Sequence, residues 1–263
     1  MNEDLRICRA VEDAEREAAE LMLHARRVLA ERKSSRRDVV TEYDKKVQEL
    51  LMRRLREAAP DARFFCEELD ERDDLRAERL FIIDPIDGTM NFVHGFHHSC
   101  LSVAFASGGE LRAAAIYNPY LDEMFTARLG GGAFLNGSPV RVSEAALSES
   151  VVCIGTAPYD PQLADETFAL ARRVFDASLD IRREGSAALD LCSVAAGRAG
   201  LYVEPRVSLW DYAAGLLIVR EAGGDCRTLD GGAMPFNGGR CSIVAGYPAV
   251  LEEFFALEAR HGR

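Results

Sequence analysis

The sequence lacks any apolar run of about 20 residues, the length that a helix needs to cross a membrane. Of its 263 residues, 29% are charged and 48% are hydrophobic, which is enough for a substantial core. Residues 1–13 have neither the basic start nor the apolar run of a secretory signal. We therefore expect a globular, cytoplasmic protein that has no membrane partner.

Positive charge is also scarce, because 32 Lys and Arg face 43 Asp and Glu, a net charge of −11. Nucleic-acid binding requires a basic surface, so no nucleic-acid partner is expected. An anionic substrate could still bind if cations were held at one site. The seven cysteines are scattered and include no C-x-x-C pair. Neither a disulfide framework nor a thiolate zinc site is expected, and the thiols are predicted to be reduced and mostly buried.

Helical periodicity dominates the first 60 residues. Apolar residues recur at steps of four and three from Ile7 to Val28, which predicts a long amphipathic helix. A loop rich in Arg, Lys and Ser follows at 32–37. A second helix is predicted to pack through residues 47–55 and to end before Pro60.

Short apolar runs separated by turn residues then predict strands at 64–65, 80–83, 101–106, 111–117 and 123–127. Asp84-Pro85 is expected to stop the second of these strands. Beyond residue 145 the patterns predict further strands and helices at 151–154, 163–177, 187–196, 201–203 and 210–222. No repeat or flexible linker is visible, so we predict one layered α/β unit over residues 1–263. Its approximate halves, 1–144 and 145–263, should share one cleft.

The most informative stretch is Asp84-Pro85-Ile86-Asp87-Gly88-Thr89-Met90-Asn91-Phe92. Pro85 and Gly88 should impose a turn. That turn can direct the Asp84 and Asp87 carboxylates and the Ile86 carbonyl toward one place. Oxygen ligands of this kind suit a hard cation such as Mg²⁺. If a helix begins after Gly88, its free N–H groups and the Thr89 hydroxyl would face a phosphate. A turn of solvated acids is the alternative, and the apolar residues on both sides argue against it.

Three weaker fragments also carry acids: Glu67-Glu68, the set Asp38, Thr41 and Asp44, and Trp210-Asp211. Each has an ordinary structural explanation when taken alone. A Glu pair in a charged loop is typical of a solvated face. Asp and Thr at the start of a predicted helix are typical of capping.

Together these fragments resemble the inositol monophosphatase superfamily, the lithium-sensitive, magnesium-dependent phosphatases. The D-P-I-D-G-T-x-N-F string with a downstream W-D is highly specific, and the marks occur in family order over roughly residues 5 to 248. They are Asp38-Val39-Val40-Thr41-Glu42-Tyr43-Asp44, Glu67-Glu68, the stretch 84–92, Gly185-Ser186-Ala187-Ala188, Trp210-Asp211-Tyr212-Ala213-Ala214-Gly215 and Glu221-Ala222-Gly223-Gly224.

The resemblance implies an α/β (α+β) layered sandwich, in which helical layers alternate with mixed-to-antiparallel sheets, and a homodimer. It implies two or three Mg²⁺ ions per active site and a small phosphorylated polyol or sugar as substrate. The implied metal ligands are Glu67, Asp84, the Ile86 carbonyl, Asp87 and Asp211. The residues implied to act on the attacking water are Asp44, Thr89 and Glu67. Those implied to contact the substrate are Asp87, Gly88, Thr89, Ala187 and Glu204.

The substrate remains open at this level. The preferred reading is myo-inositol monophosphate or a similar polyol phosphate, although relatives with this chemistry also hydrolyse fructose 1,6-bisphosphate or 3′-phosphoadenosine 5′-phosphate. Arg182 and Arg183 could serve a second phosphate, or they could be a solvated pair beside a strand. A protein that only binds its ligand on the same fold is the alternative of a different class, and the complete set of acids argues against it.

Two positions depart from the family pattern. Cys66 stands where the family usually has Gly before the Glu pair, which could shift Glu67 slightly. His97 stands where the family often has Pro, so that His94, His97 and His98 lie in a short stretch. Such histidines could bind zinc, but no cysteine or fourth ligand is obviously placed. They are therefore interpreted as surface or packing histidines.

Overall fold

The computed structural model describes residues 3–26, 28–33, 39–69 and 73–261. Asp38 and most of the basic loop at 32–37 lie outside this part of the chain. The described helices are α1 (Glu3–Leu23), α2 (Glu42–Ala58), α3 (Thr89–His94), α4 (Ala164–Ala177), α5 (Ala187–Ala195), α6 (Leu209–Glu221) and α7 (Pro248–His261). None of the helices in these ranges is both long and apolar enough to span a membrane.

Strands fall into a short hairpin and two sheets. The hairpin pairs β1 (Ala30–Arg32) with β2 (Val39–Thr41). The larger sheet contains β3 (Arg63–Cys66), β4 (Arg79–Asp87), β5 (Cys100–Ser107), β6 (Glu110–Asn118), β7 (Glu123–Arg128), β8 (Gly132–Leu135) and β9 (Ser138–Pro139), in that spatial order. The smaller sheet contains β10 (Val151–Ile154), β11 (Asp180–Arg182), β12 (Leu201–Val207), β13 (Asp225–Arg227) and β14 (Cys241–Gly246). Its spatial order is β11-β10-β12-β14-β13.

Five layers alternate between helices and sheets. Helices α1 and α2 cover one face of the larger sheet, and α5 and α6 cover its other face. The smaller sheet lies on the far side of α5 and α6 and is covered in turn by α4 and α7. In the larger sheet β3 and β4 run parallel, and the remaining pairs are antiparallel. The predicted layered sandwich with mixed-to-antiparallel sheets is confirmed.

The larger sheet is buried on both faces, which explains its nearly continuous apolar strands. Along β4, Phe81 and Ile83 point toward α1 and α2, whereas Leu80 and Ile82 point toward α5 and α6. This alternation follows from the two-residue period of a strand. The same arrangement leaves no polar face on β4, so the acids that follow Ile83 continue a fully buried strand.

Three predicted boundaries were wrong. Strand β4 does not stop at Asp84-Pro85 but continues to Asp87 through an irregularity in its pairing with β5, a place where a strand tolerates proline. Helix α1 ends at Leu23, although Val28 still packs against the same core cluster. Strand β12 continues past residue 203 to Val207, again through a register shift.

All seven cysteines are free, and six of them are buried, as the sequence predicts.

Candidate active site

A cleft of about 840 Å³, which includes the volume open to solvent, lies where the two sheets meet the amino ends of α3, α5 and α6. Residues from both halves of the chain line it. The predicted site residues that it gathers are Glu67, Asp84, Ile86, Asp87, Gly88, Thr89, Ala187, Glu204 and Asp211. The remaining predicted residue, Asp44, contacts the cleft through Thr89.

The end of β4 leads through Gly88 into α3. The Ile86 N–H donates to Asp84 Oδ1 at 3.1 Å, which fixes the first carboxylate beside the backbone. Gly88 has a φ of +83°, and a Cβ there would lie 3.0 Å from the His98 carbonyl oxygen. Only glycine fits this position without strain. Helix α3 then begins at Thr89, so the helix expected after Gly88 is present.

Asp44 combines a structural and a site contact. Its Oδ2 accepts a hydrogen bond from the Thr41 N–H at 2.7 Å, and its own N–H donates to the Thr41 hydroxyl oxygen at 3.4 Å, which forms the capping box of α2. The Thr41 hydroxyl also donates to Oδ2 at 2.5 Å. Its Oδ1 accepts from the Thr89 hydroxyl at 3.2 Å, and that hydroxyl also lies 3.0 Å from the Ile86 carbonyl oxygen. Capping and a role in the site are therefore compatible at this residue. Asp38, the third member of the fragment, lies outside the described residues.

Asp211 shows the same combination. The Ser208 N–H donates to its Oδ2 at 2.7 Å, and the two residues form the capping box of α6. The preceding Trp210 packs on Phe65 with ring centroids 5.8 Å apart. Since Phe65 lies on β3 and Trp210 on α6, this contact fixes the start of α6 against the larger sheet.

Asp87 is held by the start of α5. Its Oδ2 accepts from the Ser186 hydroxyl at 2.5 Å and from the Ala188 N–H at 2.8 Å. Burial nevertheless raises the pKa of Asp87 to about 6, with nearby Glu67 adding to the shift. The Ser186 contact was not predicted from the sequence, although Ser186 belongs to one of the quoted family marks.

The carboxylates repel one another. Burial, followed by the charges of Glu67, Asp87 and Asp211, raises the pKa of Asp84 well above its usual value. Burial and the charges of Asp87 and Glu67 do the same to Asp211. Acids gathered in this way require a compensating positive charge or a proton. Their oxygens are the donors that a hard divalent cation prefers, so the residues present fit Mg²⁺.

Lys33 supplies positive charge at the edge of this cluster. Its ammonium contacts Glu67 Oε1 at 2.9 Å and also contacts Glu68. Burial opposes the charged form of Lys33, but the carboxylates of Glu67 and Glu68 raise its pKa overall. Burial and the charge of Glu67 also raise the pKa of Glu68, to about 7. Sequence reasoning missed Lys33 because its only visible signal is a basic loop that is typical of a solvated surface.

Glu204 lies deep in the cleft. Its Oε1 accepts from the Ala157 N–H at 2.9 Å, and its Oε2 accepts from the Tyr202 hydroxyl at 2.7 Å. A Cβ on Gly155 would lie 1.9 Å from Glu204 Oε2, so this conformation of Glu204 requires glycine at 155. Sequence reasoning missed Gly155, which carries no signal until β10 and β12 are paired.

Of the described arginines, three line the cleft: Arg183, Arg206 and Arg240. Arg183 Nε donates to the Thr156 hydroxyl at 3.2 Å, whereas Arg206 pairs with an acid, Asp160, at 3.1 Å. Of the two arginines considered for a second phosphate, only Arg183 lines the cleft in the described structure. Arg182 instead forms an ion pair with Asp180 on the same strand, β11.

The two departures from the family pattern have ordinary surroundings. Cys66 is fully buried at the end of β3, and the Glu67 N–H still donates to the Ile83 carbonyl at 3.1 Å. His97, at a φ of +57°, stacks on Tyr120 with ring centroids 4.7 Å apart. His94 is exposed, so the three histidines have separate environments.

The comparisons with known proteins agree with the fold. The model of the inositol monophosphatase family matches residues 5–261, and the chain belongs to this family. It is 41% identical to an inositol-1-monophosphatase of Rhizobium meliloti over 210 residues, which are 80% of this chain and 78% of the relative. It is 42% identical over 207 residues to a fructose-1,6-bisphosphatase/inositol-1-monophosphatase of Thermotoga maritima, covering 78% and 77% of the two chains.

A solved structure has the same fold. The extragenic suppressor protein suhB of Bartonella henselae superposes with a TM-score of 0.88 and 34% identity, over 95% of this chain and 97% of that one.

Proposed function

We propose that this protein is a Mg²⁺-dependent phosphate monoester hydrolase that acts on inositol monophosphate or a similar small polyol phosphate. The observation that carries the proposal is the convergence of Glu67, Asp84, Asp87 and Asp211 in one cleft beside the Thr89–Asp44 pair. The family to which the chain belongs supports the same reaction class.

The oxygen donors divide into two sets that share one carboxylate. Glu67, Asp84 and the Ile86 carbonyl would hold a first Mg²⁺. Asp84, Asp87 and Asp211 would hold a second. When bound, such ions lower the pKa of a water molecule and neutralise charge on the leaving oxygen.

Asp44 and Thr89 are suited to orienting the water and moving its proton. The Thr89 hydroxyl lies between Asp44 Oδ1 and the Ile86 carbonyl, so it can accept a proton from water while it passes its own to Asp44. Burial raises the pKa of Asp44 to about 6, opposed by hydrogen bonds from Thr41. A base whose pKa lies near neutral pH is effective at such a transfer.

Substrate recognition is assigned to the other residues of the cleft. Gly88 and Thr89 lie at the start of α3, and their N–H groups would donate hydrogen bonds to phosphate oxygens. Ala187 and Glu204 also line the cleft, and we assign to them the contacts with the substrate's hydroxyl groups. Because the Glu204 carboxylate is fixed by two donors, it can accept from a polyol hydroxyl without losing its position.

A bisphosphate is the second candidate substrate, and the three cleft arginines favour it. Arg183, which contacts a hydroxyl rather than a carboxylate through its Nε, is the best placed to meet a second phosphate. The Thermotoga maritima relative carries both activities in its name.

Initial rates on one preparation discriminate these readings. Inositol 1-phosphate, fructose 1,6-bisphosphate and 3′-phosphoadenosine 5′-phosphate should each be tested with Mg²⁺ and with a chelator. We expect Mg²⁺-dependent release of phosphate, fastest with inositol 1-phosphate. If Arg183→Ala impairs only the bisphosphate reactions, the arginine serves a second phosphate. Absence of release from all three with Mg²⁺ would favour the binding-protein alternative.

A further inference from the structure

A second group of side chains that could hold a metal ion lies next to the segment 84–89 of the cleft. His98, Glu184 and Asp190 each offer a ligand atom, and these atoms lie within 4.8 Å of one another. His98 Nε2 is 3.3 Å from Glu184 Oε2. In a tetrahedral site with bonds of about 2.1 Å, neighbouring donors are about 3.4 Å apart, so this pair already has the required spacing.

Among the described residues, two buried atoms of the group have no hydrogen-bond partner: His98 Nε2 and Asp190 Oδ1. The 3.3 Å contact of His98 with Glu184 lacks the geometry of a hydrogen bond. Asp190 is 1% exposed, so its carboxylate has lost its hydration, and one oxygen has gained no donor in return. An unsatisfied buried carboxylate oxygen is costly, and metal coordination is one of the few ways to satisfy it.

A fourth potential ligand stands beside the group. Cys153 on β10 is buried, and its thiol lies near enough to Asp190 to interact electrostatically with the carboxylate. The sequence placed neither acid nor thiol near His98, because the four residues come from four separate segments. Their proximity depends on the crossing of α5 between the sheets.

The backbone holds these segments in position. Asn91 Nδ2 donates to the His98 carbonyl and to the Glu184 carbonyl, both at 2.7 Å. Asn91 therefore joins the two segments that carry ligands, independently of any ion. A site whose ligands are fixed in advance loses less entropy when a metal binds.

We propose that His98, Glu184 and Asp190 form a second metal site that takes a transition metal such as Zn²⁺. Its ligands differ from those of the carboxylate cluster, although Asp190 also lines the cleft. Nitrogen together with oxygen donors selects such an ion over Mg²⁺, which prefers oxygen alone. A metal bound there would stabilise the position of the segment 84–89. The His98 carbonyl lies close to Gly88, and Ser186, two residues after Glu184, donates a hydrogen bond to Asp87.

The test is calorimetric titration of the full chain with Zn²⁺ after chelation, in a large excess of Mg²⁺ that fills the carboxylate cluster. We expect one Zn²⁺ per chain, and with Co²⁺ as the probe a visible absorption band that reports nitrogen ligation. His98→Asn should weaken Zn²⁺ binding by about 100-fold or more, beyond the effect of losing an outer-shell partner. His97→Asn, which alters the neighbouring exposed imidazole, should leave it unchanged.

Glu184→Gln provides a second arm if His98→Asn does not fold, because the Glu184 side chain is 38% exposed and tolerates replacement. It should weaken Zn²⁺ binding about 10-fold or more. The proposal is overturned if no Zn²⁺ binds in excess Mg²⁺, or if binding persists unchanged in both ligand variants. The latter result would place the zinc elsewhere.

Discussion

Single acidic side chains in this protein differ in whether their burial is compensated. Asp44 and Asp211 each cap a helix with one oxygen, which repays part of the cost of burying them. Glu15 is different: it is fully buried on α1, and neither of its carboxylate oxygens has a hydrogen-bond partner in the part of the chain that the structure describes. Burial, followed by the charge of Glu12, raises its pKa well above the usual value. Glu15 is thus a residue at which stability can be gained.

Glu15→Leu should raise the free energy of unfolding by about 1–3 kcal/mol at pH 8, because it removes an unsatisfied buried polar group. The gain should shrink toward pH 5. A raised folded-state pKa means that the unfolded chain releases its proton first, so wild-type stability falls as pH rises above about 4. Urea denaturation at both pH values measures this. Glu20→Leu, on the exposed face of the same helix, should change stability by less than about 0.5 kcal/mol.

Thr89 tests the proposed proton path at the level of one hydroxyl. Thr89→Ala should lower kcat by about 10²–10⁴-fold, as expected for a group that positions a transferred proton. Thr89→Ser keeps the hydroxyl between Asp44 and Ile86 and should retain most of the activity. Phosphate release under saturating Mg²⁺ is the measurement. Equal loss in both variants would show that the methyl group, and not the hydroxyl, matters.

At the scale of elements, helices and strands with strong hydrophobic periodicity could be predicted from the sequence, and short edge strands could not. The runs that became β4, β5 and β6 are buried on both faces, so their apolar residues stand out in the sequence. Strands β11 and β13 have three residues each, too few to show a period. Helix α7 and strand β14 were not predicted either, and neither were the two strands of the β1–β2 hairpin. Boundaries such as the end of α1 depend on packing that no local pattern records.

Most of the proposed site residues could be proposed from the sequence because the family motifs carry them in short local stretches. Gly155, Lys33 and the contact of Ser186 with Asp87 could not, because each acts on a residue distant in the chain. Gly155 lies next to β10 and clears space for a side chain on β12. Such a requirement exists only after the strands have paired.

Gly155→Ala should therefore displace the Glu204 carboxylate. We expect KM for inositol 1-phosphate to rise about 10–100-fold, the equivalent of losing a hydrogen bond to a charged group. The rate with phenyl phosphate, which has no polyol hydroxyls, should change little. Steady-state kinetics on both substrates measure the difference. Gly238→Ala is the matched control, since its Cβ would meet nothing closer than 3.5 Å. An unchanged KM for inositol 1-phosphate would contradict the role of Glu204.

At the scale of the whole molecule, the two sheets depend on a shared helical layer. Helices α5 and α6 pack against both sheets, and the cleft takes acids from residues before and after 145. We accordingly propose that residues 1–263 fold as one unit, as the uninterrupted sequence suggests. Electrostatic repulsion among the acids of the cleft then destabilises the packing that brings them together, and a bound divalent cation would reduce that repulsion.

Stability without metal should therefore fall between about pH 4 and pH 7. The pKa values of Asp44 and Asp87 are raised to about 6 and that of Glu68 to about 7 by burial and neighbouring charge. Raised carboxyl pKa values favour the folded state only while the acids are protonated, so stability is lost as pH rises. For Asp44 alone the shift corresponds to roughly 3 kcal/mol. The free energy of unfolding, measured by denaturation in chelator and in Mg²⁺, should differ more between the two conditions as pH rises. A difference that does not change with pH would contradict the proposed repulsion among the acids.

The most direct measurement of the proposed metal cluster is Mg²⁺ binding by Asp84→Asn. Trp210 is the only tryptophan in the sequence and lines the cleft, so its fluorescence can report binding, alongside the melting temperature and phosphate release. Asp61→Asn, an exposed acid paired with Arg79, is the matched control. The shared-ligand arrangement predicts no detectable turnover, weaker Mg²⁺ binding and a smaller Mg²⁺-induced stabilisation for Asp84→Asn only. Normal turnover with the full Mg²⁺ stabilisation in Asp84→Asn would contradict it.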